Sequence, residues 1–198
     1  MEHSEEKKSE IEKVRDVLFN FAIDREDIKW LMERLPKEAN IKRSTVEYEL
    51  QILKIISVGW SISYYLENNP HKNPLLELFW MAIYEFSQHL STTTELMIGQ
   101  DIDYFQILKE RLDMYVDAMA QKPEAPEPST VIGPEFARTC GNEDDISTLM
   151  TGSKMFLSTI GQVKEYLETI KLEVKEIEGM DLGDLMPSEI STNKELLF

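Results

Sequence analysis

The chain has one cysteine, Cys140. It allows no internal disulfide and no cysteine cluster for zinc or an iron–sulfur centre. Glycine and proline are scarce, with eight of each in 198 residues. That disfavours an all-β fold built on tight turns. Positive charge is also short: 21 Lys and Arg stand against 37 Asp and Glu, a net charge of −16. Nucleic acid and anionic membrane surfaces are therefore excluded as expected partners, because both are bound by clustered Lys and Arg. The longest uncharged run in the apolar middle, Ile55 to Leu66, contains Ser57, Gly59, Ser61 and Ser63. It falls short of the ~20 apolar residues of a bilayer span and reads as a buried helix. No apolar stretch follows the polar residues 1–8, so no secretory signal is expected and the location read is cytoplasmic. There is no Gly-rich phosphate loop and no Gly-x-Ser-x-Gly elbow.

What the chain does have is an ordinary globular composition, 42% hydrophobic and 29% charged. Its length lets a single core bury roughly 70% of the unfolded surface. Nearly every segment carries helical period. Ile11, Val14, Leu18 and Phe21 predict a helix over residues 5–22. Asp24 can cap a second, with Ile28, Leu31, Met32 and Leu35 on one face and Pro36 as its stop. Ser44 and Glu47 have capping-box spacing and open a third, over about 44–67. Asn73-Pro74 opens a fourth, to about Gly99. A fifth runs from Ile102 to about Gln121, and a long sixth covers about 144–178.

These spacings predict an all-α fold: a single-domain bundle of about six helices over residues 1–178. The nearly all-round apolar third and fourth helices form its central antiparallel pair. Residues 122–134 hold four prolines, at 123, 126, 128 and 134, and read as an extended surface connection, with a short helical turn at 135–140. Residues 179–198 read as a C-terminal tail.

Several constellations look chemical. Glu85 and His89 lie one helical turn apart, with Glu77 and Gln88 on the same stripe of the fourth helix. A Glu and a His so placed could hold a metal or shuttle a proton. The di-iron pattern, however, needs Glu-x-x-His on two helices, and the chain has none. The stripe therefore reads as the water-facing side of the helix. Trp60, Tyr64, Tyr65, Phe79, Trp80, Tyr84 and Phe86 could line a pocket between the third and fourth helices, but such rings are more often core. Glu165-x-x-Glu168 and Glu173-x-x-Glu176 have the spacing with which helical nucleoside-triphosphate pyrophosphatases bind magnesium. In that family the second pair ends in Asp on another helix, which has no counterpart here. Arg138 beside Cys140 could lower the thiol pKa, but no His lies near in sequence, and the cysteine reads as inert. No catalytic, cofactor-binding or metal residues, and no cofactor, are assigned.

Two features point to contact instead. Phe156, Ile160, Val163, Leu167, Ile170, Val174 and Ile177 alternate by four and three, a heptad seam. It packs into the chain's own bundle or against another helix; Glu173 facing Glu178 of a second copy disfavours a parallel homodimer. The tail mixes acidic residues with Leu182, Leu185, Met186, Leu196, Leu197 and Phe198, a pattern that docks into grooves.

Pro70-His71 followed by Leu76-Glu77-Leu78-Phe79 resembles the signature of the helical chaperones for molybdenum enzymes. That family carries an acidic residue before the His, where this chain has Pro70, and the likeness is confined to residues 70–79. What it implies is a maturation chaperone for a larger enzyme. The expected function is a non-enzymatic helical protein acting through a protein partner or self-association, as an adaptor, regulator or assembly factor. The alternatives are such a chaperone, or an enzyme or ligand binder with its site between the third and fourth helices.

Overall fold

The computed structural model describes residues 8–36 and 42–170. Among these it forms seven helices and no strand. In chain order they are α1 (Glu10–Ile23), α2 (Glu26–Arg34), α3 (Arg43–Tyr65), α4 (Lys72–Ile98), α5 (Tyr104–Ala120), α6 (Ser129–Thr139) and α7 (Ile146–Thr169). The all-α bundle read from periodicity is the fold. The sequence-predicted extension of the last helix to 178 lies outside the described residues beyond 170.

Local side chains set the helix starts. Ser9 and Glu12 form a reciprocal capping box on α1. Asp103 and Asp145 cap α5 and α7 by accepting from Gln106 N and Thr148 N, each at 2.9 Å. The capping box predicted at Ser44 and Glu47 does not form. α3 starts one residue earlier, and the Glu47 carboxylate is taken by Arg25 of the α1–α2 link. Arg43 replaces it as the tie at this corner, donating to the carbonyls of Met32 and Leu35. A cation is favoured there because those carbonyls close the C-terminus of α2.

The extended connection read at 122–134 needs correction. Only residues 121–128 are non-helical, and Ser129–Thr139 is α6, with Pro134 inside it. Proline normally forbids this, because its ring crowds the Cβ of the preceding residue and its missing N–H leaves a carbonyl bare. Here the preceding residue is Gly133, which has no Cβ to crowd. The same glycine lets α6 lie on α7: a Cβ there would meet the Leu149 carbonyl at 2.9 Å.

α3 is the axis of the bundle. It packs against each of the other six helices, and Val46, Leu50, Leu53, Ile56, Val58 and Ile62 are completely buried. α4 forms the antiparallel partner, joined to α3 through Leu66–His71. Trp80 packs against Gly59, where a Cβ would sit 2.4 Å from the indole. α4 differs from the sequence expectation in one respect. Its buried residues end at Ser87, and the turns beyond it carry Leu96 and Met97 into solvent. α4 is central for its first half only, and α3 for its whole length.

Candidate functional site

The fold distributes the sequence-predicted polar residues along one side of α4. Glu77 is half-buried; Glu85, Gln88 and His89 are exposed. Among the described residues no other element brings a set of ligands to them. Among the described residues, no three His, Cys, Asp or Glu are grouped to hold a metal ion. The aromatic candidates are mostly core. Trp60 meets Tyr115 and Phe156 edge-on, Phe79 meets Trp80, Tyr84 meets Phe105, and Phe86 meets Phe19. Tyr64 alone turns outward, stacked edge-on against Tyr65. Glu165 and Glu168 are exposed, with Lys164 3.7 Å from Glu168; Glu173 and Glu176 lie outside the described residues.

Cys140 is buried against the core. Desolvation, with the Glu49 carboxylate nearby, pushes its thiol pKa up to about 12. That is the opposite of the activation a neighbouring Arg138 suggested. Arg138 is turned away to the Glu135 carboxylate. The thiol stays protonated at neutral pH and is a poor nucleophile.

Two buried ionic ties were not anticipated from the sequence. Glu49 on α3 accepts both Nε and Nη2 of Arg111 on α5, each at 2.9 Å. Lys54 is completely buried; its Nζ donates to the Asp24 carbonyl at 3.0 Å, reaches Asp27 Oδ2 at 3.1 Å, and stands 4.4 Å above the Phe21 ring. Their signal was present: each is a charge set into the apolar run Val46–Val58, where no water-facing stripe accounts for it. Both are satisfied ties between helices. Tyr115, beside the first, is completely buried, and its hydroxyl finds no hydrogen-bond partner among the described residues. The adjacent Thr139 hydroxyl donates its proton to the Phe136 carbonyl at 2.7 Å and keeps its lone pairs as possible acceptors.

The surface offers a different kind of site. α2 and α7 pack side by side and leave a groove of about 780 Å³, lined by Trp30, Leu31, Leu157, Lys154 and Ser158 with acidic residues of α2. Trp30 is 51% exposed and Leu157 50%. The Arg34 guanidinium covers one face of the indole, 3.7 Å from its centroid. Ile146 and Met150, also exposed, continue the face of Leu157 along α7 at helical spacing. Of the charges at the groove, Glu26 holds Lys29 and Asp27 holds Lys54, while Glu33 and Lys154 have no ion pair among the described residues. Trp30 is the clue that sequence reasoning passed over. It falls off the buried face made by Ile28, Leu31, Met32 and Leu35.

Comparison with known proteins finds no matching family model, no matching curated protein and no matching solved structure. The site therefore has to be read from its own chemistry. Of the seam, Phe156, Val163 and Leu167 are buried in the bundle, so α7 turns one apolar face inward and leaves a second at Ile146, Met150 and Leu157 outside. Val174 and Ile177 lie outside the described residues, as do Leu182, Leu185, Met186, Leu196, Leu197 and Phe198. Among the described residues no helix is long and apolar enough to cross a membrane.

Proposed function

We propose that the chain is a non-enzymatic protein that works in the cytoplasm by contact with another protein, as an adaptor, regulator or assembly factor. The observation that carries this reading is the α2/α7 groove. An exposed Trp and a row of exposed aliphatic side chains form an apolar strip with a charged rim, the pattern of an interaction surface. The ion pairs between helices favour the same reading. Glu49, Arg111, Lys54 and Asp27 are spent on holding helices together, whereas catalysis needs convergent groups open to a substrate. The net charge of −16 suits a partner with a basic rim, which it would steer into encounter. An enzyme-maturation chaperone is one form of this function, and the partner's identity decides it. The tail's large apolar residues, Leu182, Leu185, Met186, Leu196, Leu197 and Phe198, are proposed to take part in contacts as well.

Affinity capture from the native host, with the parent chain and with a Trp30→Asp/Leu157→Asp variant, tests the reading. Both residues are half-exposed, so the variant keeps the fold. The expected result is a stoichiometric partner, re-formed from purified components, whose affinity drops at least about tenfold in the variant, as for hot-spot loss. Undiminished binding would move the site elsewhere. Absence of any stoichiometric partner would remove the function.

A further inference from the structure

We infer that the α2/α7 groove takes an amphipathic helix of a partner protein, one whose apolar face is flanked by Lys and Arg. The inference rests on the docking role of that groove and names the element that fills it. Ile146, Met150 and Leu157 are all exposed. At about 100° per residue they fall within about 40° of one another around α7, so they form one ridge. The ridge is about 16 Å long, or about three helical turns at about 1.5 Å per residue. Gly161, with open space around it, extends the same face by another turn. Trp30 stands across the groove on α2, with Arg34 over one face of its indole. Among the described residues there is no strand, so no sheet edge can take an extended peptide through backbone hydrogen bonds. What the surface offers instead is apolar side chains spaced four and seven residues apart. Those are the intervals at which another helix presents its own.

Charge sets the flanks of that helix. At the groove and at the N-terminal end of the ridge, Glu33, Glu143, Asp144 and Asp145 have no ion pair among the described residues, against Lys154 and Arg34. Asp145 accepts from Thr148 N as the cap of α7 and keeps its charge. The excess is negative, as it is for the whole chain at −16. An occupant with basic flanks meets this rim with the complementary sign, and one with acidic flanks is repelled. The same excess argues against a second copy, which would bring an identical acidic rim to the interface.

Peptide binding to the purified full-length chain tests this. The probes are three labelled peptides of about 18 residues, or about five helical turns. The first has Leu at i, i+4, i+7 and i+11 with Lys on both flanks. The second carries Glu in place of every Lys. The third has the composition of the first with its Leu spread all round the helix. Fluorescence anisotropy at physiological ionic strength should give the first peptide at least about tenfold tighter binding than either of the others. Trp30→Ser with Leu157→Ser, which leaves the charge unchanged, should remove that advantage. Glu33→Lys with Asp144→Lys, both at exposed positions, should weaken the first peptide and strengthen the second. Equal affinity of the first and third peptides would show only a general attraction between opposite charges. A tighter second peptide would reverse the sign, and undiminished binding to the Ser variant would place the helix elsewhere. Each of these results, or binding of none of the three, would overturn the inference. So would a parent chain that sediments as a dimer and a Ser variant that sediments as a monomer, because the groove would then belong to a second copy. Affinity capture reads the docking role separately. A partner lost in the Trp30→Asp/Leu157→Asp variant keeps that role even if all three peptides fail, and only the helix is withdrawn.

Discussion

At the scale of single residues, the structure places charge where the period of the helix calls for none. Lys54 is completely buried, and its carboxylate partner Asp27 is about one-third exposed. Removing the acid leaves a buried ammonium without its carboxylate; removing the lysine frees one carbonyl, that of exposed Asp24, which water can satisfy. Asp27→Ala is expected to cost about 2–4 kcal/mol, somewhat less than for a fully buried pair, whereas Lys54→Met is expected to be near neutral or stabilising. Urea melts of the two variants check the asymmetry, and equal losses would refute it. Burial also raises the pKa of four acidic groups, Tyr166 of α7 among them. Cys140 and Tyr48 are pushed up to about 12, and Tyr115 is raised as well, each chiefly by desolvation. The folded protein keeps these groups neutral, while the unfolded chain ionises them from about pH 9 to 10. Their stabilising effect is complete below that range and is lost as pH rises towards 12. Thermal melts should shift steadily downwards above about pH 9, and Tyr115→Phe should flatten the decline. At neutral pH that variant should equal or exceed the parent, because it deletes a buried hydroxyl without a partner.

At the scale of helices, legibility follows how local the cause is. Residues 43–65 and 72–87 announce themselves because their apolar side chains recur at three and four, and burial simply follows that stripe. The cap of α1 belongs to the same class, since Ser9 and Glu12 act within one turn. α6 is illegible because its helicity is granted from outside. Pro134 argues against it locally, and what overrides proline is the packing of Gly133 and Phe136 on α7. The Glu49–Arg111 tie hides for a similar reason: its ends are 62 residues apart in sequence. α6 and α7 also approach closely at Gly152, where a Cβ would stand 2.5 Å from the Phe136 ring. Both partners are rigid, so Gly152→Ala should cost about 1–3 kcal/mol by overpacking, despite alanine's better helix propensity. Gly161, with open space around it, is the control: Gly161→Ala should stabilise α7 by up to about 1 kcal/mol. Chemical denaturation of the pair reads both signs.

At the scale of the whole molecule, the bundle is organised around one helix rather than a ring of equals. α3 is sheathed on all sides, α4 has no buried residue beyond Ser87 and meets α5 there through hydrogen bonds of Ser91 and Thr94 with Tyr104, and α2 with α7 leaves a furrow on the surface. The site was only partly legible for this reason. A groove is a property of two helices and of what their spacing leaves empty, and neither sequence segment holds it alone. The sheath also sets the order in which the backbone meets solvent. Amides of Leu50–Ile62 are freed only when every neighbouring helix departs, so their deuterium uptake should report global unfolding, while amides of α4 beyond Thr94, past its hydrogen bonds to Tyr104 of α5, open by local fraying. Mass-resolved hydrogen exchange should therefore find the slowest and fastest helical amides of this part of the chain in adjacent helices, joined by a single short loop. Comparable protection in the two would mean that the last turn of α4, beyond Thr94, is held by something beyond the bundle.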